Sequence, residues 1–130
     1  MYRKSTNDII VSVQPVFIDE RSDPENGQYF WAYRVQITNE SSQTVQLINR
    51  YWHITDANGH IEEVAGEGVV GEQPVLEPRM TFEYTSGCPL RTPSGIMVGH
   101  YELKCANGEL IRAEIPAFSL DLPHADPVYN

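Results

Sequence analysis

Between residues 28 and 39 the chain reads QYFWAYRVQITN. Its apolar positions alternate: Tyr29, Trp31, Tyr33, Val35 and Ile37 fall on one side, Arg34, Gln36 and Thr38 on the other. A period of two is the mark of a strand with one buried face. The alternation returns at Met80, Phe82 and Tyr84, at Met97, Tyr101, Leu103 and Cys105, and at Ile111, Ala113 and Ile115. From Ile9 the pattern holds as far as Pro15 and then changes phase, which predicts a bulge or an edge position. Residues 44–56, TVQLINRYWHITD, are rich in β-formers, yet Val45 and Leu47 share one parity while Ile48, Trp52 and Ile54 share the other. Helical periodicity is nearly absent, and nine scattered prolines leave little room for a long helix.

Turn chemistry agrees with strands. Asn26-Gly27, Asn58-Gly59 and Asn107-Gly108 each sit between strand-like runs, and Asn-Gly favours the positive φ angles of tight hairpins. The pattern predicts about seven strands, near 9–18, 28–39, 44–56, 60–65, 79–86, 96–106 and 109–118. Short antiparallel strands at this spacing predict an all-β fold, an antiparallel β-sandwich of the immunoglobulin or fibronectin III kind, with a closed barrel as the alternative. The 130 residues are expected to form one domain with its core over about 9–122 and a loosely ordered tail, PHADPVYN, over 123–130.

Charge narrows the partners. Eighteen acidic against nine basic residues give a formal charge of -9, which disfavours nucleic-acid backbones and anionic membrane surfaces. The start, MYRKSTNDIIVSVQP, lacks the apolar run of a secretory signal, and no stretch approaches the roughly 20 apolar residues of a spanning helix. A cytosolic location follows as the expectation, with Cys88 and Cys105 as thiols. Cys88, in TSGCPLRTP, is placed in a loop beside Arg91 and is inert for want of a histidine base. Cys105 shares parity with Leu103 and is placed in the core.

Residues 64–78, VAGEGVVGEQPVLEP, contain the spacing Gly66-x-Gly68-x-x-Gly71. In a dinucleotide fold such glycines follow a strand and open a helix whose amides face the pyrophosphate. Here Pro74 and Pro78 forbid that helix. Two readings remain: a structural turn, which is preferred, and a candidate pyrophosphate loop of Gly66, Glu67, Gly68, Val69, Val70 and Gly71 whose amides form an anion-binding nest. Asp56, Glu62, Glu63, Glu67, Glu72 and Glu77 oppose a bare phosphate, because no Lys or Arg occurs from Tyr51 to Pro78. Arg50, Arg79 or Arg91 folded over the loop would soften that repulsion. A Mg²⁺ or Co²⁺ ion accompanying the phosphate would reverse it.

Other chemistry is sparse. His53, His60, His100 and His124 show no paired ligand spacing, and His53 and His100 are read as polar-face residues of strands. Asp56-Ala57-Asn58-Gly59-His60 is like the opening of a calcium loop without its closing glutamate, so it is read as a turn. No nucleophile elbow or paired-carboxylate signature occurs, and no enzyme is predicted.

The runs VSVQPVFIDERSDP, YWHITDANGHIEEVAGEGVVGEQPVLEP, FEYTSGCPLRTPSGIMVGHYEL and IPAFSL resemble the ApaG family of small bacterial proteins, over about Ile9 to Leu122. The resemblance implies a fibronectin III-like β-sandwich and an association with cobalt tolerance and magnesium efflux. The family's glycine motif, proposed for pyrophosphate or nucleotide contact, falls on Gly66, Gly68 and Gly71. Related domains occur in eukaryotic F-box proteins and a polymerase-interacting protein, where protein binding is the natural role. Together these readings predict a non-catalytic binding module that acts through a protein partner and is indirectly linked to divalent cations. The alternative is a pyrophosphate- or nucleotide-binding protein, or a metal-dependent enzyme on such a ligand. A direct efflux channel is excluded, because no predicted segment can cross a bilayer.

Overall fold

A computed structural model of the chain describes residues 1–122. The predicted tail over 123–130, with His124, lies outside the described residues. Among those residues are nine strands: β1 Tyr2–Thr6, β2 Ile9–Phe17, β3 Tyr29–Asn39, β4 Val45–Asp56, β5 Ile61–Glu67, β6 Val75–Leu76, β7 Thr81–Leu90, β8 Ser94–Cys105 and β9 Leu110–Asp121. They form two antiparallel sheets, β1-β2-β3-β7 and β5-β4-β8-β9, with β6 also paired to β4. This is the antiparallel sandwich that the alternation predicts.

Two strands exceed the predicted seven. β1 offers no apolar alternation, and it turns into β2 through Asn7 and Asp8, whose φ angles are 52° and 63°. That geometry is the one Asn-Gly favours, reached by a less telling pair. β6 is two residues long and carries no period at all.

The phase change in β4 is a bulge, whereas the one expected after Pro15 does not occur. β2 keeps its parity, with Phe17 packed on the core and Val16 46% exposed, and Pro15 is only an edge position. In β4, Leu47 faces Leu103 and Asn49 faces Glu102, so Ile48 is the extra residue. Buried Val45 and Leu47 precede it, and buried Trp52 and Ile54 follow on the opposite parity. β1 pairs with β2 only over Ile9–Val13. Pro15, opposite Tyr33, therefore sits beyond the end of β1, where a residue without an N–H is tolerated. In β9, Pro116 and Ala117 oppose Val98 alone, which keeps both Ile115 and Phe118 buried.

Two expectations are corrected. β7 runs to Leu90, so Cys88 is a strand residue opposite Trp31 and not a loop thiol. It is also buried more deeply than Cys105, at 3% against 8% exposure, and burial pushes its thiol up to about 12. Asn58-Gly59 and Asn107-Gly108 turn hairpins, but Asn26-Gly27 instead ends the short 3-10 turn Pro24–Asn26 between β2 and β3.

The core lies between the sheets, with Tyr33 edge-on to Trp52 at 5.2 Å and Trp52 edge-on to Phe118 at 6.0 Å. Phe82 is only partly buried at its margin. β9 packs against β1 and β2 and closes one flank of the sandwich. On the other flank, between the edge strands β5 and β7, cavities open that residues of both sheets line.

Candidate functional site: the glycine loop and the cavity beneath it

β5 and β6 are two parts of one edge strand. β5 pairs with β4 from Thr55 to Asn49, and β6 pairs with Gln46 and Val45. The seven residues 68–74 bulge outward opposite Leu47 and Ile48. Four bonds pin the base of the bulge: Gly68 N–H to the Ile48 carbonyl at 2.8 Å, Leu47 N–H to the Pro74 carbonyl at 3.0 Å, Gln73 Nε2 to the Ile48 carbonyl at 3.0 Å, and Gln46 Nε2 to the Gln73 carbonyl at 3.1 Å. The β4 bulge thus leaves the carbonyl of its extra residue to anchor the loop.

At the tip Val69 and Glu72 exchange two backbone bonds, at 2.8 and 2.9 Å, across Val70 and Gly71. Their φ angles, 43° and 81°, have the signs of a type I′ hairpin turn. Each glycine of the motif has its own physical reason. Gly71 supplies the second positive φ of the turn. Gly68 has φ 64°, and a Cβ there would lie 2.2 Å from the Glu72 carbonyl oxygen. Gly66 clears space on the inner face, where a Cβ would stand 3.1 Å from both terminal nitrogens of Arg50.

The loop amides are partly spent. Gly68 and Val69 donate inward, to Ile48 and Glu72, while Val70 and Gly71 make no hydrogen bond among the described residues. Val70 breaks a local rule, since a β-branched residue at positive φ is strained, and it is 54% exposed. Its neighbour Val69 is fully buried and plugs the sandwich.

Of the three arginines considered for the loop, Arg50 is the one brought to it. Past the Ile48 bulge it shares parity with Trp52 and Ile54, so it points between the sheets. Its Nη1 donates to the carbonyls of Glu67 and Gly68, at 3.0 and 2.8 Å. Arg79 instead stands at the entry to β7, its N–H on the Asn39 carbonyl at 2.6 Å. Arg91 lines a larger cavity of about 740 Å³ at the far end of the flank. The Glu67 side chain lies on the outer face, because Glu67 is in register with Asn49, whose amide bonds Glu102 there.

Beneath the loop a cavity of about 310 Å³ is lined by Tyr33, Arg50, Tyr84, Ser86, Val70 and Gly71 among others. Next to it a second cavity of about 170 Å³ shares Tyr33, Arg50 and Ser86 and adds Trp52 and Glu62. The hydroxyls of Tyr84 and Tyr101 are hydrogen-bonded to each other across the sheets. Burial raises the pKa of Tyr33, Tyr84 and Tyr101, with Arg50 pulling each of them the other way. All three remain hydroxyl donors at neutral pH. The one usable sign in the sequence was Arg50 on the parity of Trp52 and Ile54. The tyrosines themselves read simply as core.

The remaining candidates fall elsewhere. His53 and His100 lie on the outer face of β4 and β8, where His100 stacks on Tyr51 at 5.1 Å. Asp56 Oδ1 accepts the amides of Asn58 and His60, both at 2.9 Å, so its loop is an Asx-type turn. Among the described residues no three His, Cys, Asp or Glu side chains converge to hold a metal ion. None of their helices is long and apolar enough to cross a membrane.

Fold and site together define a β-sandwich with one sealed flank and one open flank under a glycine-rich edge loop. Comparison with known proteins makes the class specific. The family model described as ApaG domain, DUF525, matches residues 19–105. Protein ApaG of Agrobacterium fabrum is 56% identical over 130 residues, covering 100% of both chains. Protein ApaG of Rhizobium etli is 58% identical over the same full span. A crystal structure described as the ApaA protein of Bordetella pertussis superposes with a TM-score of 0.88 at 50% identity, covering 90% of this chain and 95% of that one. The chain belongs to the ApaG family.

Proposed function

We propose that the chain is a non-catalytic, cytosolic binding module whose glycine loop, with Val70 at its tip, contacts a protein partner, and whose link to cobalt and magnesium handling runs through that partner. The observation that carries this reading is Val70. A strained, half-exposed branched residue stands where Asn or Gly would be relaxed, and local rules are broken most often where function demands it. Val70→Asn tests it. The substitution suits the turn and should raise stability by about 1 kcal/mol. In cells it should lower cobalt tolerance to the level of a deletion strain, at unchanged protein abundance. Wild-type tolerance in the variant, beside a sensitive deletion strain, would remove the loop tip from the contact. A deletion strain as tolerant as its parent would remove the cation link.

A second reading, contact with pyrophosphate or nucleotide across Gly66 to Gly71, draws on the unbonded amides of Val70 and Gly71. Exposed Glu67 and Glu72 stand beside them, so this contact requires Mg²⁺ or Co²⁺. Calorimetry with pyrophosphate, with each metal and with EDTA, tests it. Absence of heat in every condition sinks it.

A further inference from the structure

We propose that the paired cavities beneath the loop bind a single carboxylate, with Arg50 as its counter-ion. The proposal rests on the binding-module reading only for the origin of that carboxylate, a partner protein.

A half-buried arginine on the inward face of an open flank is usually matched by an acid, because a partly desolvated charge without a partner is costly. Arg50 has no such match. The ion pairs of the described residues are Arg34–Glu83 and Arg112–Glu114, and neither includes it. Its Nη1 is taken by two carbonyls, which leaves Nε and Nη2, the side-on fork of the guanidinium. That fork fits a carboxylate through two parallel bonds.

A second observation concerns the wall of the same space. Trp52 is 2% exposed and lines the smaller cavity, and its Nε1–H, like that of Trp31, is buried without a hydrogen-bond partner. A buried donor left unbonded is costly, so an acceptor able to reach it is favoured. The hydroxyls of Tyr33 and Ser86 line both cavities and add donors. Glu62 is the countervailing group. It pairs with Ile54 on the inward parity and lines the smaller cavity. With Arg50 offset by Glu62, and Glu67 also at the rim of the larger of the two cavities, each added negative charge meets more repulsion, which disfavours a multiply charged phosphate more than a single carboxylate. The combined space suits a side chain or a chain end rather than a nucleotide.

The test is a titration of the labelled protein at constant ionic strength, read at the Trp52 indole N–H and the Gly71 amide. The probes are acetate, inorganic phosphate, a blocked peptide with one glutamate, and a peptide whose only carboxylate is its C-terminus. Acetate should shift the Trp52 signal saturably, with a Kd of about 1–10 mM, an affinity of about 3–4 kcal/mol. Tyr33→Phe and Ser86→Ala, which leave the loop contacts of Arg50 intact, should each weaken it at least about fivefold, or 1 kcal/mol. Arg50→Gln should abolish it. Binding by one peptide and not the other identifies the source as a side chain or a chain end. No saturable shift with acetate, an unchanged affinity in Tyr33→Phe and Ser86→Ala, or tighter binding of phosphate than of acetate would each overturn the proposal. Acetate binding with neither peptide bound would keep the site and count against the protein-partner reading.

Discussion

Replacing Gly68 by alanine separates the two meanings of the glycine motif. Two penalties follow from the geometry. A residue with a Cβ at φ 64° pays about 1–2 kcal/mol for the left-handed conformation. The new Cβ would also stand 2.2 Å from the Glu72 carbonyl oxygen. That oxygen cannot withdraw freely, because it accepts the Val69 N–H at 2.8 Å and closes the turn. Forcing a methyl group into such a contact costs about 1–3 kcal/mol. The two together give roughly 2–5 kcal/mol for Gly68→Ala. Gly71→Ala is the internal control. Its φ is 81° but no atom lies within 4 Å of the added Cβ, so only the first penalty applies, about 1–2 kcal/mol. Urea unfolding, followed through the fluorescence of the two buried tryptophans Trp31 and Trp52, measures both losses. A loss below about 1 kcal/mol for Gly68→Ala, or one no larger than for Gly71→Ala, would refute the steric account. If Gly68→Ala kept full stability but lost pyrophosphate binding, the motif would be a ligand loop and not a turn.

Three further predictions concern the interior. Tyr84→Phe leaves the fully buried Tyr101 hydroxyl unbonded and should cost about 1–3 kcal/mol, whereas the double change Tyr84→Phe/Tyr101→Phe should cost less than either change alone. Denaturation of the four proteins in a double-mutant cycle checks this, and simple additivity would contradict it. Raised pKa values at Cys88, Tyr33, Tyr84 and Tyr101 mean that the fold favours the protonated groups. The associated stability is complete below about pH 8.5 and is lost as pH climbs through the thiol and phenol range, so the melting temperature should fall steadily above about pH 9. A flat profile to about pH 11 would contradict the burial of these groups. With its thiol pushed up to about 12, Cys88 should react with a thiol reagent at pH 8 more slowly than Cys105, as mass spectrometry of timed alkylation would reveal. The reverse order would place Cys88 at the surface.

Much of the fold could be read in the chain because burial of one sheet face writes a period of two. Trp31, Tyr33, Val35 and Ile37 are all buried as that period requires. Where the period faltered in β4, the cause was a bulge, and a bulge shifts parity without changing residue type. Ile48 is the case in point, since one extra residue turned a coherent strand into an ambiguous one. The glycine loop was recognisable as a loop, but its geometry rests on distant partners, the carbonyls of Ile48 and Pro74, that no local pattern announces. The cavity was less legible still. Tyr33, Tyr84 and Tyr101 obey the core pattern as apolar rings, and nothing in one sequence shows that their hydroxyls gather near one arginine.

The loop and the cavity are linked, because one side chain contacts both. Arg50 gives one nitrogen to the loop carbonyls of Glu67 and Gly68 and keeps the rest toward Tyr33 and Ser86. A carboxylate drawn onto its side-on fork would fix the guanidinium in the orientation that its loop bonds require. Loop and ligand would then hold each other through the arginine. That coupling is reciprocal, so whatever steadies the loop must also tighten the carboxylate. Gly66→Ala probes the link, since its methyl group would press on both terminal nitrogens of Arg50 while its own backbone φ carries no left-handed strain. The variant should lose carboxylate affinity by about tenfold, or 1.4 kcal/mol, and show faster amide exchange at Val69 and Glu72, with little loss of global stability. Lost affinity with unchanged exchange at the loop would show that Arg50 serves the cavity alone.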